Sequence, residues 1–157
     1  MTDPDPIAAA IHETWRALSR TQGWSMGPAL DRPYADLADA DKEDNRAAAR
    51  RMGEVLAVAS LGLTNDPVLP SPPDAMLKAM MEAAMERMAE AEHDGWMAQR
   101  ARTGWSWGPA RDDAGKRHPA MVPYAQLSER DREKDRSNIR HYPDFAARAG
   151  YRIVPLK

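Results

Sequence analysis

A mainly α-helical fold, built from two related segments that share one compact unit, is what this sequence predicts. Three observations carry the prediction. Apolar residues recur at three- and four-residue steps along several stretches. A 17-residue block near the start returns 81 positions later. Each copy of that block leads through a turn rich in Gly and Pro towards a second helical stretch, and each segment then closes on a short extended piece.

Residues 12–28 read HETWRALSRTQGWSMGP and residues 93–109 read HDGWMAQRARTGWSWGP. Without a gap, 8 of the 17 positions are identical, among them His12 with His93, Trp15 with Trp96 and Trp24 with Trp105. Residues 34–46 align with residues 124–136 at 6 of 13 positions, after nine extra residues (within 111–122) in the second copy. The chain therefore divides into a tail at 1–7, copy one at 8–63, a Pro-rich loop and connecting helix at 64–89, and copy two at 90–157.

The first helix is expected over 7–20, where Ile7, Ile11, Trp15 and Leu18 line one face and Gly23 ends it. In the Gly-Trp-Ser-x-Gly-Pro turn the glycines allow positive φ and the proline stops helix, so the turn projects its Trp from a rigid support. An Ala-rich helix follows over 39–60, then the extended pair Gly62-Leu63. In the connector, Ser71 as N-cap, Pro72 at the first helical position and Asp74 in the first turn predict one long helix reaching about Arg102. Met76, Met80, Met81, Met85 and Met88 fall along one stripe of it, packing against copy one or, alternatively, forming a partner groove. Ser128 and Asp131 read as a capping box opening the second helix of copy two, which ends in an extended piece at 150–154. With a single Phe and 10 Met, the large buried side chains are expected to be Leu, Met and Trp, and Trp107, matched by Met26, reads as a packing position.

The absence of Cys excludes disulfides, thiolate metal sites and cysteine nucleophiles, and fits a reducing compartment, so a cytoplasmic location is expected. The first six residues are acidic and no apolar signal or membrane span follows them, which reads as a soluble protein with no membrane attachment. A net charge of −2 argues against general nucleic-acid binding. The charge is unevenly spread: residues 111–157 hold 11 basic and 7 acidic side chains, against 11 and 17 in residues 1–110. That local surplus suits a small anionic ligand, although Arg130, Arg132, Lys134, Arg136 and Arg140 also read as a solvated helix face.

Catalytic patterns fail. His12-Glu13 and His93-Asp94 lack the second His one turn on that a zinc-protease signature needs. His118 and His141 have no acidic cluster at ligand spacing, and there is no phosphate loop, dinucleotide fingerprint or nucleophile elbow. No enzyme, no metal and no cofactor are expected. What remains is a duplicated set of aromatic and basic side chains. A pseudo-two-fold pairing of the copies would bring Trp15 towards Trp96 and Trp24 towards Trp105, so that a flat base stacks between indoles while Arg111, Lys116, Arg117 or Arg136 meets phosphate. The competing reading makes the same indoles core residues.

The residues Trp96, Gly104-Trp105-Ser106-Trp107-Gly108-Pro109, Arg111-Asp112, Lys116-Arg117-His118-Pro119, Val122-Pro123-Tyr124, Leu127 and Gly150-Tyr151 make copy two closely similar to the ryanodine receptor repeat domain. Copy one keeps His12-Glu13, Trp15, Gly23-Trp24, Gly27-Pro28, Tyr34 and Leu37, and lacks the Lys-x-His-Pro segment and the aromatic after its last glycine. The resemblance implies a mainly helical fold with short antiparallel strands, in which tandem copies pack about a pseudo-two-fold axis. It also implies a free-standing prokaryotic or phage module without the channel activity of the large receptors. It further implies a non-catalytic sensor of nucleotides or nucleotide-derived signals, with adenine held near tryptophans where the copies meet. The candidate ligand-binding set is thus Trp15, Trp24, Trp96, Trp105, Arg111, Lys116, Arg117, His118, Tyr124 and Arg136. The alternative is a protein-interaction module, docking a partner or a second copy through the Met stripe and exposed indoles.

Overall fold

The computed structural model describes residues 3–24 and 26–156; Ser25 of the first Gly-Trp-Ser turn lies outside the described residues. Helix α1 spans Asp5–Gln22, beginning inside the segment read as a tail because the Asp5 carboxylate is held by Arg46 and by the Tyr34 hydroxyl. Gly23 ends the helix at φ 71°, with its N–H on the Ser19 carbonyl, which turns Trp24 back towards α1. After a 3₁₀ turn at Tyr34–Asp36, α2 runs over Asp39–Val58 and β1 over Leu61–Thr64.

The connector does not form one long helix. Helix α3 spans Asp74–Ala83 and α4 spans Met85–Arg102, with Ala84 between them at φ −106°, ψ 9°. No Gly or Pro marks that break, so the run of strong helix formers reads as continuous. Nor does Ser71 cap: α3 starts after Pro73, and the Ser71 hydroxyl accepts a hydrogen bond from the Arg152 guanidinium instead. Met81, Met85 and Met88 are buried, whereas Met76 is exposed.

Beyond α4, strand β2 (Ser106–Trp107) and strand β3 (Arg117–His118) form a two-residue parallel pair, closed by an antiparallel bridge between Asp112 and Arg117. This flap is the extra length of the second segment. A second 3₁₀ turn at Tyr124–Gln126 leads into α5, Glu129–Arg140. Helix α6, Tyr142–Arg148, and strand β4, Arg152–Pro155, complete the order. Ser128 caps α5, its hydroxyl accepting from the Asp131 N–H at 3.1 Å. Ser128→Ala is expected to cost about 1 kcal/mol, read as an earlier urea midpoint with an unchanged slope.

Strand β4 pairs antiparallel with β1, in the register Leu61 with Pro155 through Thr64 with Arg152. Helix α2 packs against both α1 and α4, α4 also packs on α5, and α6 packs on α1, so the helices close a ring around one core. The fold is mainly helical, with a short antiparallel sheet. Its fully buried large side chains include Ile7, Met52, Leu56, Leu61, Met88, Ile139, Tyr142 and Phe145. Each contributes roughly 1.5–3 kcal/mol by leaving water. Tryptophan is not among them. Trp15, Trp24, Trp96 and Trp105 are partly buried and Trp107 is 55% exposed, so the expected Trp core and the packing role of Trp107 are both corrected. The lone Phe and one Tyr fill the space instead.

Aligned positions of the two segments make the same contacts. The His12 Nε2 donates to the Arg32 carbonyl at 2.7 Å, and the His93 Nε2 to the Val122 carbonyl at 2.6 Å. Tyr34 and Arg46 bind Asp5, while Tyr124 and Arg136 bind Glu86.

Candidate functional site

A cavity of about 380 Å³ opens where α1, α2, α4, α5 and the flap meet. That volume suits a small organic ligand. Trp15 reaches it from α1 and Trp96 from α4, the two helices on either side of α2. Helix α2 supplies Asp44, Asn45 and Arg51, and α5 supplies Asp131, Lys134, Asp135 and Asn138. The α5 residues fall at three- and four-residue steps, and so share one helix face.

At its base, Arg51 donates to both oxygens of Glu92, at 2.9 and 3.3 Å, and the Tyr142 hydroxyl donates to Glu92 at 3.3 Å. Glu92 is 5% exposed, so its charge depends on these partners. Gly95 makes the crossing possible, because a Cβ there would overlap the Arg51 side chain at Cδ.

The second segment's aromatic group is tightly built. Trp96 stacks on His93 with ring centres 5.6 Å apart, and His118 meets Trp96 edge-on at 5.0 Å. Arg100 sets its guanidinium 5.7 Å from the Trp96 ring centre and 4.8 Å from that of Trp105. Burial, then the cations Arg111 and Arg100, hold the His118 pKa down at about 4. The ring is therefore neutral near pH 7, and its Nδ1 accepts from the Ala120 N–H. In the first segment Trp15 contacts Trp24 at 5.5 Å, and Lys134 sits 5.4 Å from the Trp24 ring centre. The ring–ring contacts run within each segment rather than between matched partners, while Lys134 of the second segment reaches Trp24 of the first.

Two carboxyls in the cavity are shifted. Burial raises Asp44, opposed by Arg100 at 3.5 Å. Burial, then Glu92 and Asp131, push Asp135 up to about 7.

Of the residues nominated from sequence, Trp15, Trp96, Arg111 and His118 line the cavity. Trp24 and Trp105 stand behind, against Trp15 and Arg100. Lys116 and Arg117 lie exposed on the flap, bonded to the Thr103 carbonyl and the Ser106 hydroxyl. Tyr124 is buried in the core with its hydroxyl on Glu86, and Arg136 is engaged by Glu86, Glu129 and Glu133 away from the cavity. Those contacts are structural ties of α5 to α4. Sequence reasoning missed Arg100, Asp44, Lys134, Asp135 and Asn138. Arg100 had a signal, one turn after Trp96 on a helix; the others sit in charged runs that look solvated.

The family model of the RyR domain matches residues 69–155, which is more than half of the chain. The matched stretch takes in α3 and α4, the flap, α5, α6 and β4.

Proposed function

This chain belongs to the RyR domain family, and from that premise we propose that it is a non-enzymatic ligand-binding module whose cavity takes an adenine-type nucleotide or a nucleotide-derived signal. The observation that carries the reading is the convergence of Trp15 and Trp96 with the cations Arg100, Arg111 and Lys134 on one cavity. Indole faces suit a planar base, and the cations suit its phosphates. The protein acts as a sensor or as a sequestering protein. The recurrence of sequence blocks and of their hydrogen bonds supports descent from two tandem copies arranged about a pseudo-two-fold axis, in a free-standing prokaryotic or phage module of the cytoplasm. No helix in the described residues is long and apolar enough to cross a membrane.

The test is a thermal-shift and Trp-fluorescence screen against adenine and guanine nucleotides, cyclic nucleotides and ADP-ribose derivatives. One class is expected to raise the Tm and quench fluorescence, more weakly as salt rises. Trp96→Ala is expected to weaken binding roughly 5- to 150-fold, from the ~1–3 kcal/mol of one stacked base, while remaining folded. A screen without a hit would sink the reading. It would favour a second one, protein docking through the exposed connector residues Val68, Leu69 and Met76, which sedimentation would register as association.

A further inference from the structure

We propose that residues 69–73 of the connector form a polyproline II docking segment, which fits an aromatic-lined groove of the SH3 type on a partner protein. This surface lies apart from the cavity and does not depend on what the cavity binds.

Residues 69–73 read Leu-Pro-Ser-Pro-Pro. Sterics dictate the backbone of this stretch. The rings of Pro70, Pro72 and Pro73 hold φ at about −65°. Leu69, Ser71 and Pro72 each precede a proline, which drives ψ out of the helical region and into the extended one. Residues 70–73 accordingly lie in no helix, strand or turn, and Pro73 stands at φ −55°, ψ 145°, in the polyproline II region.

A polyproline II helix has about three residues per turn and therefore three edges. Pro70 and Pro73 share one edge, Leu69 and Pro72 share the second, and Ser71 is alone on the third. Two edges thus carry only apolar groups, arranged as the pairs Leu69-Pro70 and Pro72-Pro73. An aromatic-lined groove seats such apolar–proline pairs side by side and leaves the residue between them outside.

The fold displays the segment in that orientation. Arg152 of β4 donates to the Ser71 hydroxyl and to the Asp66 carbonyl, so the Ser71 edge faces the body of the protein. The Asp66 carboxylate accepts from the Val68 N–H at 2.9 Å, and the Pro73 carbonyl accepts from the Leu77 N–H at 3.0 Å where α3 begins. Pro70 and Pro73 are exposed, Leu69 is 40% exposed and Pro72 is half-buried. A segment held this firmly with its apolar edges towards water loses little freedom on docking. Its charge narrows the partner further. Asp66 and Asp74 bracket the segment, and residues 65–77 contain no Lys or Arg, so the complementary groove has a basic rim.

The experiment titrates the intact chain, without nucleotide, into a panel of purified SH3 domains with basic and with acidic groove rims. Micromolar binding to basic-rim members is expected, weakening as salt rises, with NMR shift changes centred on the aromatic residues of the groove. Pro70→Ala and Pro73→Ala are each expected to weaken that binding about tenfold or more, with circular dichroism unchanged. Val68→Ser removes an 84% exposed apolar side chain that belongs to neither pair, and leaves the affinity as it was. Absence of binding across the panel, or binding indifferent to Pro70→Ala and Pro73→Ala, overturns the proposal. So does self-association abolished by Val68→Ser, which would assign the loop to a second copy of this chain. None of these outcomes bears on nucleotide binding in the cavity.

Discussion

Replacing Arg51 with Met is expected to lower the unfolding free energy by about 3–5 kcal/mol, the cost of leaving a buried charge without its partner. The stranded group is Glu92. It keeps only the Tyr142 hydroxyl, at 3.3 Å, and sits beside the Asp135 carboxyl, whose own pKa is already raised in part by Glu92. Removing both members of the pair gives a different result. Arg51→Met with Glu92→Leu puts apolar volume where two desolvated charges stood, and is expected to recover most of the loss. Urea unfolding of the two single variants and the double variant measures the coupling directly. A loss below about 1 kcal/mol for Arg51→Met would mean that water reaches Glu92 and that the cavity base is wet rather than sealed.

Phe145→Ala is expected to cost about 3–5 kcal/mol, the range for truncating a buried aromatic. Phe145 is fully buried on α6, which packs on α1, so this side chain of the second segment closes the core of the first. Against the 5–15 kcal/mol typical of a native domain this is a large fraction. The loss should appear as one shifted transition, seen alike by far-ultraviolet circular dichroism and by Trp fluorescence. Two separated transitions would show that the segments fold independently around separate cores.

Much of the fold is legible in the sequence, for identifiable reasons. Ile7, Ile11 and Trp15 mark the inner face of α1, and Gly23 and Gly104 stand at positive φ at the ends of matched helices, as their places before the turn tryptophans required. The extended pieces at 62–63 and 150–154 were visible and form the strands Leu61–Thr64 and Arg152–Pro155, but their pairing was not, since nothing local in either strand names its partner. The break at Ala84 was invisible because helix propensity continues across it. The core was misjudged where size was taken as a proxy for burial. The indoles stop part-way to the surface, while Tyr142 and Phe145 lie in a short, charged stretch with little periodic signal.

The site divides similarly. Trp15, Trp96, Arg111 and His118 were readable, the tryptophans through repetition and all four through resemblance. Asp135 and Asn138 were not, because a helix reading ERDREKDRSNIR is chemically indistinguishable from a solvated surface until its neighbours are known.

The pairing of residues 61–64 with residues 152–155 also imposes an order of events on synthesis. When the first segment leaves the ribosome, its strand has no partner and the core position of Leu61 has no cover from β4. Both wait until β4 has been translated. The nascent chain therefore carries an open strand edge until residues 152–155 have emerged, and closing this sheet is a step of high sequence separation.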